Sequence, residues 1–215
     1  MLLGGIDEAG RGSVIGPLVI AGVSLDKENI QILQGEGVLD SKSLTPRTRE
    51  KLYPKIILRA KSIFVCKIKP KIIDSYVQLK KLNSLEVQFM TLVSDNLVVD
   101  KIIFDACDVN LDRFKRSILE NMKNKSVKIY CFHKADQDNT AVAAASIIAK
   151  VTRDREISLL ETRFGIRIGS GYPSDPITKT FLKDNVQNKA FKEHIRFTWA
   201  PVKLLANKKY QTKLL

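Results

Sequence analysis

The chain has 215 residues, 44% of them hydrophobic, which suits one α/β domain or one and a half and is enough for a sizeable core. Ample Leu, Ile and Val beside 27% charge exclude disorder as the main state, and eleven Gly with seven Pro exclude a collagen-like or low-complexity protein. Thirty-six Lys and Arg against 23 acids leave a net charge of +13 and a pI near 9.7, the balance of a protein that meets a polyanion or carries a solvated basic surface.

The first element is a short apolar strand over 2–7, followed by a Gly-rich turn, Glu8-Ala9-Gly10-Arg11-Gly12. Residues 17–25 (PLVIAGVSL) are β-rich and close enough in sequence to pair with it as an antiparallel hairpin. Thr45-Pro46 opens a helix, Thr as N-cap and Pro at the first helical position, with Leu52, Ile56, Ile57 and Ala60 at helical spacing. A third strand follows over 62–68 and a mostly helical stretch over 71–99. A fourth strand is entered within 98–104 and finishes at Asp105. Then come an amphipathic helix over 111–122, a fifth strand over 127–132 and a long helix over 140–164 with a small-residue start that permits close packing on a sheet. A Gly/Pro/Ser loop over 165–176 leads into a helical, basic remainder. An early antiparallel pair followed by βαβ units predicts a mixed α/β sheet flanked by helices, its later strands parallel.

No apolar run approaches the ~18 residues that span a bilayer, so no membrane partner is expected. The opening Met1-Leu2-Leu3-Gly4-Gly5-Ile6-Asp7 meets acid at once and has no basic n-region, so a secretory signal is not expected either. Cys66, Cys107 and Cys131 are odd in number and form no CxxC pair, which argues against disulfides and zinc and for a reduced, cytoplasmic compartment. The basic excess is concentrated at the end: residues 176–215 hold eight Lys and Arg196 against Asp184 and Glu193, net +7.

Apolar strands carry four acids to element ends. Asp7 and Glu8 close the first strand, Asp105 closes the fourth, and Asp136 follows the fifth. Ligands of open α/β sheets bind at the carboxyl ends of strands, so Asp7 and Asp105 converge if the first and fourth strands are neighbours. Gathered carboxylates repel one another, and a divalent cation supplies the missing counter-charge. Oxygen-only ligation selects Mg²⁺ or Mn²⁺. With a polyanionic partner this points to two-metal phosphodiester chemistry, with ions ~3.5–4 Å apart. Each acid taken singly is also explained as a helix N-cap or a turn residue. Asp108 is read as the cap of the helix from Leu111, and Asp154 as a local partner of arginines and the reserve fourth carboxylate.

Three loops could meet a nucleic acid. Gly10-Arg11-Gly12 offers backbone N–H groups and a guanidinium beside the acids, or is simply a tight turn. Asp40-Ser41-Lys42-Ser43 places Ser and Lys near a helix start, as a phosphate seat or a capping turn. Gly171-Tyr172-Pro173 presents an aromatic that could stack on a base or sugar, or pack on the surface. His133 and His194 have no partner at zinc-ligand spacing, and Ser146 is read as a packing residue.

Taken in order, these segments resemble type 2 ribonuclease H (ribonuclease HII) in its archaeal-type form. The resemblance rests on residues 5–12 (GIDEAGRG), Ile15-Gly16-Pro17, Asp40-Ser41-Lys42, Asp105-Ala106, Lys134-Ala135-Asp136, residues 144–150 (AASIIAK) and residues 171–175 (GYPSD). It covers residues 4 to about 200. It implies a ribonuclease-H-like mixed five-stranded sheet with a helical C-terminal region, divided as a catalytic domain over 1–165 and a basic helical region over 166–215 packed on it. The implied activity is metal-dependent cleavage of the RNA strand of RNA–DNA hybrids. It includes incision 5′ to a ribonucleotide embedded in duplex DNA, giving 3′-hydroxyl and 5′-phosphate ends and a role in replication and ribonucleotide excision repair. By position, Asp7, Glu8, Asp105 and Asp136 would be the catalytic, metal-holding carboxylates. Glu8 would need a bend in its strand, its backbone oxygen or a second ion, since neighbours on a straight strand point oppositely. Gly10, Arg11, Gly12 and Tyr172 would sense the 2′-hydroxyl and stack on the sugar, and Lys42 would hold a phosphate. Cys107 stands where a small Ala is common in similar proteins. The tail, Gln211-Thr212-Lys213-Leu214-Leu215, lacks the aromatics of a sliding-clamp box, which argues against clamp binding, and a monomer is expected. Another ribonuclease-H-like nuclease, or a non-enzymatic basic nucleic-acid-binding protein, remain the competing readings. The ordered Gly-Arg-Gly and Gly-Tyr-Pro segments favour the first.

Overall fold

Strand β1 (Leu3–Ala9) lies at the centre of a five-stranded sheet with β2 (Leu18–Leu25), β3 (Ser62–Ile68), β4 (Lys101–Asp105) and β5 (Lys128–Phe132), in the order β3-β2-β1-β4-β5. This is a computed structural model that describes residues 1–40 and 44–211, without the side chains of Asp40 and of residues 208–211. β1 pairs antiparallel with β2, from Leu3↔Leu25 to Ala9↔Val19, and parallel with β4, which in turn pairs parallel with β5. The sheet is mixed, as the sequence order predicts.

Contacts divide the chain into two compact units. The first comprises residues 1–9, 19–66 and 83–151, and the second residues 10–18, 67–82 and 152–215. In the first, α1 (Lys27–Gly35), α2 (Pro46–Arg59) and the start of α6 (Thr140–Phe164) bury Leu33, Leu52, Ile56, Ala141, Ala145 and Ile148 with Val19, Ala21 and Val23 of the sheet. Gly5 has a reason to be glycine: a Cβ there would lie 2.2 Å from the backbone of Ala141 and Val142, so α6 rests directly on β1. The opposite face is covered by α4 (Leu82–Asp95), whose Val93 lies over Gly22, and by α5 (Leu111–Asn121), whose Phe114 meets Phe104 edge-on. Each fully buried aliphatic side chain contributes about 1.5–3 kcal/mol.

The second unit has its own apolar centre, in which Ile15, Ile157, Ile168, Phe181, Phe191, Ile195 and Val202 are buried. Phe191 stacks obliquely on Phe164 at 4.6 Å and meets Phe181 at 4.9 Å. Its helices include α3 (Pro70–Gln78), α7 (Pro176–Asn185) and α8 (Ala200–Gln211). Asp74 of α3 accepts the N–H groups of Phe197 (2.8 Å) and Thr198 (3.1 Å).

Four local expectations differ. β1 continues through Glu8 to Ala9, beyond the predicted end at Asp7. The chain forms α1, capped by Asp26 on the Asn29 N–H, where the sequence shows no apolar stripe, because α1 buries only Leu33. The helical stretch from 71 is broken at Lys80, which takes φ 58°, while the Lys81 N–H returns to the Tyr76 carbonyl. That is a left-handed C-terminal cap made without the usual glycine. Finally, Asn110 and not Asp108 caps α5: Asn110 accepts from the Arg113 N–H at 2.8 Å, while Asp108 holds the Arg113 guanidinium. Among the described residues no helix is long and apolar enough to cross a membrane.

Candidate active site

The parallel ladder between β1 and β4 ends at Ile6↔Phe104, so the next residue on each strand is an acid: Asp7 on one, Asp105 on the other. Side chains in register on parallel strands share a face. Asp7 is on the α6 face with Gly5, and it is buried (5% exposed). Burial, and after it the Asp105 carboxylate, push the Asp7 carboxyl up to about 7, against the lowering influence of the Ser146 hydroxyl, the Glu8 N–H and Lys150. The Glu8 N–H donates to Asp7 Oδ1 at 2.7 Å, and Lys150 Nζ donates to Ser146 Oγ at 2.8 Å.

Asp105 Oδ1 accepts the Ala135 N–H at 3.1 Å, which fastens the residue before Asp136 to the end of β4. Lys134, just upstream, takes the left-handed conformation (φ 57°) and turns the chain into a single helical turn, 135–137, in which Asp136 is buried. Asp7, Asp105 and Asp136 are thereby brought to one end of the sheet. Glu8 follows Asp7 on a strand whose register with β2 is unbroken (Glu8↔Ile20), so no bend turns it toward Asp7. Alternation puts it on the opposite face.

The donor set fits a divalent cation. It is all oxygen, without thiolate or imidazole, the chemistry of Mg²⁺ and Mn²⁺. One of its oxygens, Asp136 Oδ1, is buried without a hydrogen-bond donor, although the residue makes other interactions. Among the described residues no three His, Cys, Asp or Glu side chains close on a single point. Like-charge repulsion resists drawing these carboxylates closer.

The Gly10-Arg11-Gly12 loop and Tyr172 belong to the second unit. Gly10 takes φ +86°, and a Cβ there would stand 2.8 Å from the Pro17 carbonyl oxygen, so the loop's first position needs glycine. Arg196, fully buried, holds the loop from behind: Nη1 donates to the Arg11 carbonyl and Nε to that of Gly16, each at 3.1 Å. Gly12 is exposed and Arg11 half-buried. Tyr172 is half-buried, with the Arg153 guanidinium 4.5 Å from its ring centroid. Asp175 caps α7 on the Ile177 N–H, and Thr178 accepts the Gly171 N–H at 2.9 Å, so the loop carrying Tyr172 is tied to a helix start. Lys42 and its neighbours 41 and 43 lie outside the described residues. Asp154, the reserve carboxylate, is in the second unit and pairs with Arg153 at 3.2 Å.

Sequence reasoning missed Arg153, Ser13 and Arg196. A signal for Arg153 exists: it continues the buried stripe Ser146, Ala149, Arg153, Ile157 of α6, where a charge has to be there for a partner.

The sequence matches the ribonuclease HII family over residues 4–202. A ribonuclease HII of Thermococcus sibiricus is 43% identical over 216 residues, covering 99% of this chain and 95% of that one. The crystal structure of ribonuclease H2 from Pyrococcus horikoshii OT3 superposes with a TM-score of 0.87 at 41% identity, covering 97% of this chain and 98% of the other. The ribonuclease HII in a complex with PCNA from Archaeoglobus fulgidus superposes with a TM-score of 0.83 at 37% identity, covering 93% and 95%.

Proposed function

The chain belongs to the ribonuclease HII family and is an endonuclease of the ribonuclease H type, and from that premise we propose that it cleaves the RNA strand of RNA–DNA hybrids and incises duplex DNA 5′ to an embedded ribonucleotide, leaving 3′-hydroxyl and 5′-phosphate ends. The observation that carries this reading is the Asp7–Asp105 pair at the ends of adjacent parallel strands, with Asp7 pushed up to about 7 by burial and by its neighbour. Carboxylates so arranged call for a cation, and phosphodiester hydrolysis uses one.

Asp7 and Asp105 would be the principal holders of Mg²⁺ or Mn²⁺. Asp136 would serve a second ion or orient the attacking water, and Glu8 would act through its backbone oxygen or the second ion. Bound there, two ions would supply an activated water and a stabilised leaving oxygen. The rest is done by the chain. The Ser146 hydroxyl and Lys150 favour the charged form of Asp7. The Gly10-Arg11-Gly12 backbone meets the 2′-hydroxyl that separates RNA from DNA, and Tyr172 stacks on the sugar 3′ to the ribonucleotide. Lys42 holds a phosphate near the cut. In this reading the chemistry belongs to residues 1–165, and the basic residues of 166–215 grip the DNA backbone without reading sequence.

The three cysteines are free thiols, in keeping with a reducing compartment. The Archaeoglobus relative is seen in a complex with PCNA, which makes a sliding clamp a possible partner class here as well.

The test is a labelled DNA duplex with one internal ribonucleotide, incubated with Mg²⁺, Mn²⁺ or EDTA beside an all-DNA control. Metal-dependent incision 5′ to the ribonucleotide, with the control intact, is expected. Cleavage of a hybrid without incision of this duplex would overturn the single-ribonucleotide reading, and cleavage in EDTA would overturn the metal reading.

A further inference from the structure

Two arginines of the second unit are buried, Arg153 at 2% and Arg196 at 0% exposure. A buried cation is costly unless it is paired and hydrogen-bonded. Arg196 meets that demand in part, with Nε and Nη1 on backbone carbonyls and its guanidinium over the Trp199 ring. Arg153 meets it differently. Nη1 pairs with Asp154 Oδ1 at 3.2 Å, an acid 41% exposed on its side chain, and Nη2 donates to Ser13 Oγ at 3.2 Å. Nε is buried without a hydrogen-bond partner. The central carbon of the guanidinium, Cζ, lies over the Tyr172 ring, 4.5 Å from its centroid.

The groups around it belong to the two substrate-facing loops. Ser13, next after Gly12, turns its hydroxyl to the carbonyl oxygens of Ile15 and Gly171. The Gly171 carbonyl also accepts the N–H groups of Val14 (2.9 Å) and Ile15 (3.3 Å). Gly171 itself takes φ +75°, and a Cβ there would stand 2.5 Å from Arg153 Nη2, so the arginine occupies space that only glycine leaves. One guanidinium thus bonds the segment after Gly12 through Nη2 and lies over the Tyr172 ring. An ammonium could keep the charge but offers neither the plane nor the fork.

We infer that Arg153 is a positioning residue for ribonucleotide recognition: it fixes the Tyr172 ring against the 10–16 segment, so telling an embedded ribonucleotide from DNA depends on its planar guanidinium and not on positive charge alone. This rests on the reading of Tyr172 as the residue that stacks on the sugar.

The experiment compares Arg153→Lys, Tyr172→Ala and the double variant in the full chain. kcat and KM are measured on a duplex with one ribonucleotide and on a uniform RNA–DNA hybrid, with melting temperatures alongside. Arg153→Lys is expected to lower kcat/KM on the single-ribonucleotide duplex about tenfold and on the hybrid less than about threefold. Tyr172→Ala should show the same selectivity, and the double variant should lie within about twofold of Tyr172→Ala alone, because both changes remove one arrangement. A merely structural arginine would lower both substrates alike and multiply with Tyr172→Ala, and either result overturns the inference. Selective Tyr172→Ala with unselective Arg153→Lys removes the inference and leaves the stacking reading standing. Unselective Tyr172→Ala removes both. If Arg153→Lys does not fold, Ser13→Ala decides: it deletes the acceptor of Nη2, a loss of about threefold confined to the single-ribonucleotide duplex is expected, and an equal loss on both substrates overturns the inference.

Discussion

Lys150 donates to Ser146 one turn before it on α6, and both side chains are among the groups that favour the charged form of Asp7. With its oxygen taken up by the ammonium, the hydroxyl turns its positive end outward, the polarity that favours a nearby carboxylate. The pair thus favours a charged Asp7 at a position where burial opposes charge. Ser146→Ala removes the hydroxyl, and with it the Lys150 bond, without changing the backbone of a helix that already runs Ala143-Ala144-Ala145. A hydrogen bond to a charged group is worth about 1.5–3 kcal/mol, so the single-turnover rate is expected to fall about tenfold or more, with substrate binding unchanged. An unaltered rate would remove Ser146 and Lys150 from the catalytic arrangement.

Asp7→Asn and Asp105→Asn should separate chemistry from binding. Each deletes a charge that would hold a cation, and loss of several kcal/mol of transition-state stabilisation corresponds to about a thousandfold in rate. On the proposed reading, affinity for the duplex would come from Lys and Arg and should change less than about threefold. Single-turnover cleavage and filter binding on the same preparations provide the comparison. Parallel loss of both would count against that division of labour.

The legible parts of the molecule were those written in local chemistry. Thr45-Pro46 starts α2 because a side-chain acceptor and a fixed φ act within one turn, and the alternation of 62–68 and the small residues from Ala141 likewise declare β3 and α6. The gathering of Asp7 and Asp105 needed one long-range fact, that β1 and β4 are neighbours, which strand order alone leaves open. What stayed hidden is non-local or unsigned. α1 buries a single residue, and Lys80 and Lys134 adopt left-handed backbone conformations that Lys does not advertise. Arg153 and Arg196 carry charge into the interior, where composition counts it as surface. Their partners, Ser13, Gly171 and the Arg11 carbonyl, lie far away in sequence.

The Asp108–Arg113 pair ties the start of α5 to pH. Two hydrogen bonds from the guanidinium lead the causes that hold the Asp108 carboxyl down at about 2, against an ordinary 3.8. A depressed carboxylate contributes its full stability above the ordinary value and loses it as pH falls through the folded one. Because the Arg113 side chain is 66% exposed, solvent screening leaves about 1 kcal/mol of the effect. Urea titrations should therefore show Asp108→Asn less stable than the parent by that amount at pH 7, with the gap narrowing toward pH 2. A gap of constant size across that range would mean the asparagine loses packing and not charge.

The basic end of the chain should set the salt dependence of binding more than the rate of the cut. Cutting the chain back after Pro201 would remove Val202, which is fully buried among Ile15, Phe181 and Phe191, so it would confound grip with folding. Replacing Lys203, Lys208 and Lys209 with Gln keeps that core and removes three charges from a segment dense in Lys. Each lost phosphate contact should lower the slope of log affinity against log salt by about 0.9, for a total of up to about 3. Because the charges act on the backbone in common, the weakening should be the same for a hybrid and for a single-ribonucleotide duplex. kcat at saturating substrate should stay within about twofold, since none of these residues holds the reacting phosphate in the proposed arrangement. A salt slope unchanged from the parent would take the C-terminal helix out of the nucleic-acid interface and move the grip to the lysines of α7 and the segment after it.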